Sequence, residues 1–132
     1  PNVTAAVRET LSDHPGGNIS LTAPVGYLDF VKLMAGSRLI LTDSGGIQEE
    51  APSLGIPVIL LRECTERPEG IEAGATRLVG TDERAIVAAG RELLAEGPEY
   101  QRMARVRNPY GDGRASRRIA EACLSFLSSS AV

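Results

Sequence analysis

An α/β fold with a mainly parallel sheet is predicted for this 132-residue sequence by three observations. Short apolar, β-prone segments alternate along the chain with amphipathic segments of helical period. Two of the apolar segments, Leu39-Ile40-Leu41 and Val58-Ile59-Leu60-Leu61, have no polar face, which is how strands read when helices cover both sides of a parallel sheet. Directly after the first comes Thr42-Asp43-Ser44-Gly45-Gly46, leading into another helical segment, so that a strand, a glycine turn and a helix start follow in order. Together these give one Rossmann-like unit over residues 1–132, with four strands where a complete sheet of that kind has more.

The elements follow in sequence. VTAAVRETL at residues 3–11 is amphipathic at helical spacing, and Pro15-Gly16-Gly17 stops it. Ile19-Ser20-Leu21 reads as a brief strand. Tyr27, Phe30, Val31 and Met34 recur at three- and four-residue intervals, giving a second helix ended near Gly36, with its aromatic residues in the core. After the strand at Leu39-Ile40-Leu41, residues 47–54 form a helix closed by Gly55. Pro57 opens the strand ending at Leu61, and Thr76-Arg77-Leu78-Val79 supplies the fourth after a turn at Gly74. Thr81 is placed to cap a helix with Asp82 and Glu83 in its first turn, Ile86, Val87, Leu93 and Leu94 on its apolar face and Gly97 at its end. Pro98 suits the first turn of the next helix. Asn108-Pro109-Tyr110-Gly111-Asp112-Gly113 is a dense turn signal, and residues 115–127 form a last amphipathic helix with Ile119, Cys123, Leu124 and Leu127 inward.

Composition narrows the function classes. A net charge of -3 with dispersed Lys and Arg leaves no basic stripe to displace counterions, so nucleic acid is not expected as a partner. No apolar run approaches the roughly 18 residues of a membrane span, and residues 1–20 lack signal-peptide character. Cys64 and Cys123 match no metal-ligand spacing and read as free thiols of a reducing compartment, the cytoplasm. No metal and no cofactor are expected. His14, the only histidine, precedes Pro15 as a solvated loop residue, and Asp112 beside Gly113 is a turn former. The chain begins at Pro1 rather than Met, from which further parts are expected upstream.

The chemistry is concentrated at the carboxyl ends of the strands, where open parallel sheets bind ligands. Glycine at positions 45 and 46 lets backbone N–H groups approach an anion closely, and the Ser44 hydroxyl adds another donor. Glu49 and Glu50, about 100° apart on a helix, cannot both face one ligand. The one that does is placed to accept from vicinal ribose hydroxyls. A glycine turn followed by solvated acids accounts for the same residues without any ligand. Thr65-Glu66-Arg67-Pro68-Glu69 follows the second strand at the same edge; Arg67 there either clamps a phosphate or holds neighbouring acids in place.

The runs TDSGGIQEEAPSLGIPV, TERPEGIEAGATRLVGTD and NPYGDGRAS, in this order and spacing, resemble the carboxyl-terminal domain of the non-hydrolysing UDP-N-acetylglucosamine 2-epimerases, and the likeness extends to Cys123. The resemblance implies part of one domain of a two-domain, glycosyltransferase-B-type enzyme, usually a homodimer, that interconverts UDP-N-acetylglucosamine and UDP-N-acetylmannosamine for cell-envelope polysaccharides. It implies Ser44, Gly45 and Gly46 on the diphosphate, Glu50 on the ribose, Phe30 against the uracil, and Arg67 at the cleft. It also implies elimination of UDP to 2-acetamidoglucal followed by re-addition, with the acids and bases for the C2 proton in an amino-terminal domain upstream of Pro1. A hydrolysing epimerase, a glycosyltransferase of the same architecture and a non-catalytic nucleotide-sugar-binding module are the alternatives.

Overall fold

The computed structural model describes residues 3–12 and 18–129. Helix α1 (Val3–Ser12) is followed by α2 (Tyr27–Ala35), β1 (Ile40–Thr42), α3 (Gly45–Glu50) running on into a 3-10 turn (Ala51–Leu54), and β2 (Val58–Leu60). Then come α4 (Glu69–Glu72), β3 (Thr76–Leu78), α5 (Glu83–Leu94), α6 (Pro98–Ala104) and α7 (Ala115–Ser129). The strands form one sheet in the order β1-β2-β3, both pairs parallel, with Ile40 opposite Val58 and Val58 opposite Thr76. The alternation of strand and helix read from the sequence is therefore the architecture found, with β2 at the centre.

Central position explains the composition of β2. Successive side chains of a strand point to opposite faces, yet Val58, Ile59 and Leu60 are all completely buried, so both faces of the sheet are covered. On one face Ile59 packs with Ala89 and Leu93 of α5 and with Tyr100 and Met103 of α6. Helix α5 is capped by Asp82, whose Oδ1 accepts from the Ala85 N–H at 2.8 Å. Thr81, expected to be the cap, instead donates from its N–H and hydroxyl to Glu63 Oε1, because the chain reaches helical geometry one residue later. The helix ends at Leu94, before Gly97: Glu96 takes the left-handed turn (φ 55°), and Gly97 becomes the N-cap of α6, with Pro98 in its first turn.

Four further expectations are corrected. Ile19-Ser20-Leu21 forms no strand, and Ile19 and Leu21 are more than half exposed; three residues gain no ladder bonds without a neighbouring strand, and among the described residues β1 pairs only with β2. The sheet accordingly shows three strands, not four. Residues 47–54 do not form one α-helix: α3 starts earlier, at Gly45, and tightens into the 3-10 turn at Ala51, with Pro52 at its start. In α7, Ile119, Leu124 and Leu127 are more than 60% exposed and Cys123 is exposed, so none faces inward. The core on the Ile59 face of the sheet is made by α5 and α6, and Ile119, Leu124 and Leu127 of α7 lie outside it. Tyr27 and Phe30 are likewise not core residues: Tyr27 is exposed and Phe30 half-buried on α2, while Met34 one turn on is buried. The stop at Pro15-Gly16-Gly17 and His14 lie outside the described residues.

Candidate functional site

The turn after β1 is built by its own polar groups. Thr42, buried at the end of the strand, accepts the Ser44 N–H on its hydroxyl at 3.0 Å, which bends the chain into α3. Ser44 is the N-cap in extended conformation (φ -80°, ψ 130°), and its side chain makes no capping bond. Over Gly45 lies the Arg67 guanidinium: a Cβ there would stand 2.8 Å from Nη1 and 2.9 Å from Cζ, so the residue must be glycine for the cation to sit where it does. Gly46 is different. It is exposed, nothing lies within 4 Å of the space a Cβ would take, and its backbone is open to a ligand.

Arg67 is held by two carboxylates. Its Nε donates to Glu49 Oε1 and its Nη1 to Glu66 Oε1 at 2.6 Å, while Glu66 also receives Arg62 at 3.2 Å. The bond to Glu49 is the main reason the guanidinium is held above its ordinary pKa. Glu66 is held below the usual carboxylate value, first by its own backbone N–H and then by the Arg62 charge. Of the two readings of Arg67 left open by the sequence, the structure shows the holding of neighbouring acids, with the guanidinium lying at the glycine turn. Among the described residues nothing accepts from Nη2.

The two carboxylates of α3 separate as helical geometry requires. Glu49 turns to Arg67. Glu50 turns to α2, where its Oε2 accepts from the Tyr27 hydroxyl at 3.1 Å, a bond that raises the phenol above its ordinary pKa. A cavity of about 190 Å³ lies beside Glu50, lined by Tyr27, Val31, Met34, Ser53 and Leu54. A second, of about 460 Å³, runs between Glu49, Glu50, Asn108, Tyr110 and Arg118. Phe30 is half-buried, close to Tyr27 on α2, and does not line the smaller cavity.

Residues that sequence reasoning did not single out join these parts. Gln48 is completely buried and bonded to both loops. Asn108 Nδ2 donates to the Glu49 carbonyl at 3.1 Å and to the Ser53 hydroxyl at 2.5 Å, and Asn108 Oδ1 accepts from the Tyr110 N–H. The Tyr110 hydroxyl accepts from the Gly70 N–H at 2.9 Å and donates to the Arg67 carbonyl at 3.1 Å; burial raises its pKa. The turn at residues 108–113 is thus a clamp across α3 and the Arg67 segment. The signal for it in the sequence is an Asn, whose Oδ1 closes the turn on the Tyr110 N–H, followed by a Tyr that the turn itself does not need. Tyr110→Phe leaves both of those backbone groups unpaired and is expected to cost about 1–2 kcal/mol, read as a lower midpoint in urea denaturation. Asp112 does act within the turn, accepting from Arg114 N–H and pairing with Arg118.

A three-stranded parallel sheet covered on both faces at β2, with a guanidinium over Gly45 and an exposed Gly46 beside it at the carboxyl edge, defines an α/β domain of the Rossmann-like class. The sequence settles the family. The family model for UDP-N-acetylglucosamine 2-epimerase matches residues 1–124, and the chain belongs to that family. It is 55% identical to the UDP-N-acetylglucosamine 2-epimerase of Salmonella typhimurium over 126 residues, which are 96% of this chain and 33% of that protein. It is 50% identical over 125 residues to the enzyme of Bacillus subtilis, covering 93% of this chain and 33% of the relative. The chain therefore spans about a third of the length of these relatives. The crystal structure of the Neisseria meningitidis UDP-GlcNAc 2-epimerase bound to UDP-GlcNAc superposes with a TM-score of 0.87 at 47% identity, over 95% of this chain and 33% of that one.

Proposed function

We propose that this chain is the UDP-binding, carboxyl-terminal part of a non-hydrolysing UDP-N-acetylglucosamine 2-epimerase, which interconverts UDP-N-acetylglucosamine and UDP-N-acetylmannosamine by eliminating UDP and adding it back. The observation that carries the reading is the Arg67 guanidinium over Gly45 beside the exposed Gly46, which puts a cation next to the backbone of a helix start. The Ser44 hydroxyl and the Gly45 and Gly46 amides bind the diphosphate, with Arg67 opposing its charge as UDP leaves. Glu50 accepts the ribose hydroxyls and Phe30 lies against the uracil. In support, a relative 47% identical to this chain is described as bound to UDP-GlcNAc.

The complete polypeptide, in this proposal, includes an amino-terminal domain that supplies the C2 acid and base and further strands of this sheet. The unpaired edge of β1, where Leu41 is 47% exposed, is where those strands would add. It acts as a homodimer in the cytoplasm and feeds cell-envelope polysaccharide synthesis. Incubating it with UDP-N-acetylglucosamine alone tests the reaction. UDP-N-acetylmannosamine is the expected product; free N-acetylmannosamine with UDP would mean a hydrolysing enzyme, and no product without an acceptor would mean a glycosyltransferase.

Because Glu49 is committed to Arg67 and Glu50 is not, Glu50→Ala is expected to weaken UDP binding more than Glu49→Ala, by about tenfold for the lost charged hydrogen bonds. Calorimetric titration of both variants gives the comparison, and equal losses would contradict the assignment of Glu50 to the ribose.

A further inference from the structure

Gln48 is the one completely buried polar side chain of the edge among the described residues, and it joins the two loops that follow β1 and β2. Its Nε2 donates to the Ser44 carbonyl at 3.2 Å, and its Oε1 accepts from the Thr65 hydroxyl at 3.1 Å. The Thr65 oxygen in turn accepts from the Arg67 N–H at 3.1 Å, while the Ser44 N–H is held by Thr42 at 3.0 Å. One chain of hydrogen bonds therefore runs from the end of β1 through the Ser44 backbone and the Gln48 amide to the backbone of Arg67. Of the two groups proposed to hold a diphosphate, the glycine turn is tied to this chain through the Ser44 backbone and Arg67 through its backbone N–H. A primary amide donates at one atom and accepts at the other, which this position needs: a carboxylate has no donor for Ser44 and a methionine has neither group. The links from Arg67 to Glu49 and Glu66 run through partly exposed ion pairs that water and salt weaken, and the Asn108–Tyr110 turn reaches the Glu49 and Arg67 carbonyls but not the Ser44 backbone.

We infer that Gln48 is a positioning residue for the diphosphate: it touches no ligand and fixes the spacing between the Ser44-Gly45-Gly46 backbone and Arg67 so that both reach one pyrophosphate. This rests on reading the edge as the diphosphate site, and it makes a prediction that general destabilisation does not. A loss through spacing falls on the phosphates and spares the nucleoside.

The test uses the complete polypeptide with Gln48→Met, Thr65→Val, the pair together, and Arg67→Ala, titrated with UDP and with uridine. Either single variant is expected to weaken UDP about tenfold and leave uridine within about twofold, and the double variant to be no weaker than the weaker single, since both cut one link. If Gln48→Met does not fold, Thr65→Val decides by the same two ligands, because Thr65 is only half-buried in a loop. Parallel losses of UDP and uridine would overturn the inference by making the role merely structural. Wild-type UDP affinity in folded Gln48→Met or Thr65→Val, with affinity lost in Arg67→Ala, would overturn the inference alone. Wild-type UDP affinity in Arg67→Ala as well would bring down the diphosphate reading itself.

Discussion

Arg67→Ala in the complete polypeptide is expected to weaken UDP binding about 100-fold, the largest loss from any single side chain at this edge. Two effects add. The cation over the glycine turn disappears, and Glu49 and Glu66, which it now neutralises, are left facing an incoming diphosphate. Arg67→Lys recovers little, because an ammonium cannot reach Glu49 and Glu66 from one rigid fork and still present a further donor. Gly45→Ala is the complementary probe. Its added methyl displaces only the far end of the Arg67 side chain, so the fold should survive while the guanidinium moves off the turn, and UDP affinity should fall about tenfold with an unchanged melting temperature. Calorimetry with UDP and a thermal melt on each variant suffice; a folded Arg67→Ala variant with wild-type affinity would show that Arg67 only shapes its own loop.

A polypeptide limited to these 132 residues is expected to show no epimerase turnover, and the complete polypeptide is expected to epimerise. Removal of the C2 proton needs a base positioned within hydrogen-bond reach of it. At this edge Glu49 and Glu66 are occupied by Arg67, and Glu50 is bonded to Tyr27 and assigned to the ribose. What remains serves the leaving diphosphate, the base for the C2 proton being proposed for the amino-terminal domain. Weak UDP binding is also expected, since a cleft closed from one side buries only part of the nucleotide. Following the appearance of UDP-N-acetylmannosamine by NMR is the measurement, and detectable conversion by the 132-residue polypeptide would place a base within it.

The candidate site was legible where chemistry depends on residue type in local order. The strand, glycine turn and helix start were readable from local order, though α3 begins at Gly45 rather than residue 47, and the roughly 100° step between Glu49 and Glu50 already required that they serve different partners. The α/β class and the doubly covered β2 followed from segments that have no polar face, but the same pattern at Leu39-Ile40-Leu41 misled: β1 lies at the edge of the sheet among the described residues and Leu41 is exposed. Missed were the groups whose roles depend on residues far away in the chain: Tyr110 meeting Arg67 and Gly70, Asn108 meeting Glu49, and Thr65 meeting Gln48.

Local sequence determined the strand-turn-helix order and the family, because periodicity and backbone freedom act over a few residues and the family's motifs are local runs. Tertiary structure alone decided that Glu49 goes to Arg67 and Glu50 to Tyr27, that Thr81 yields the cap to Asp82, and that α7 and residues 19–21 stay exposed despite their apolar patterns. Amphipathic segments state a need for burial without naming the surface that meets it, and that surface exists only once the sheet has been assembled and its faces filled.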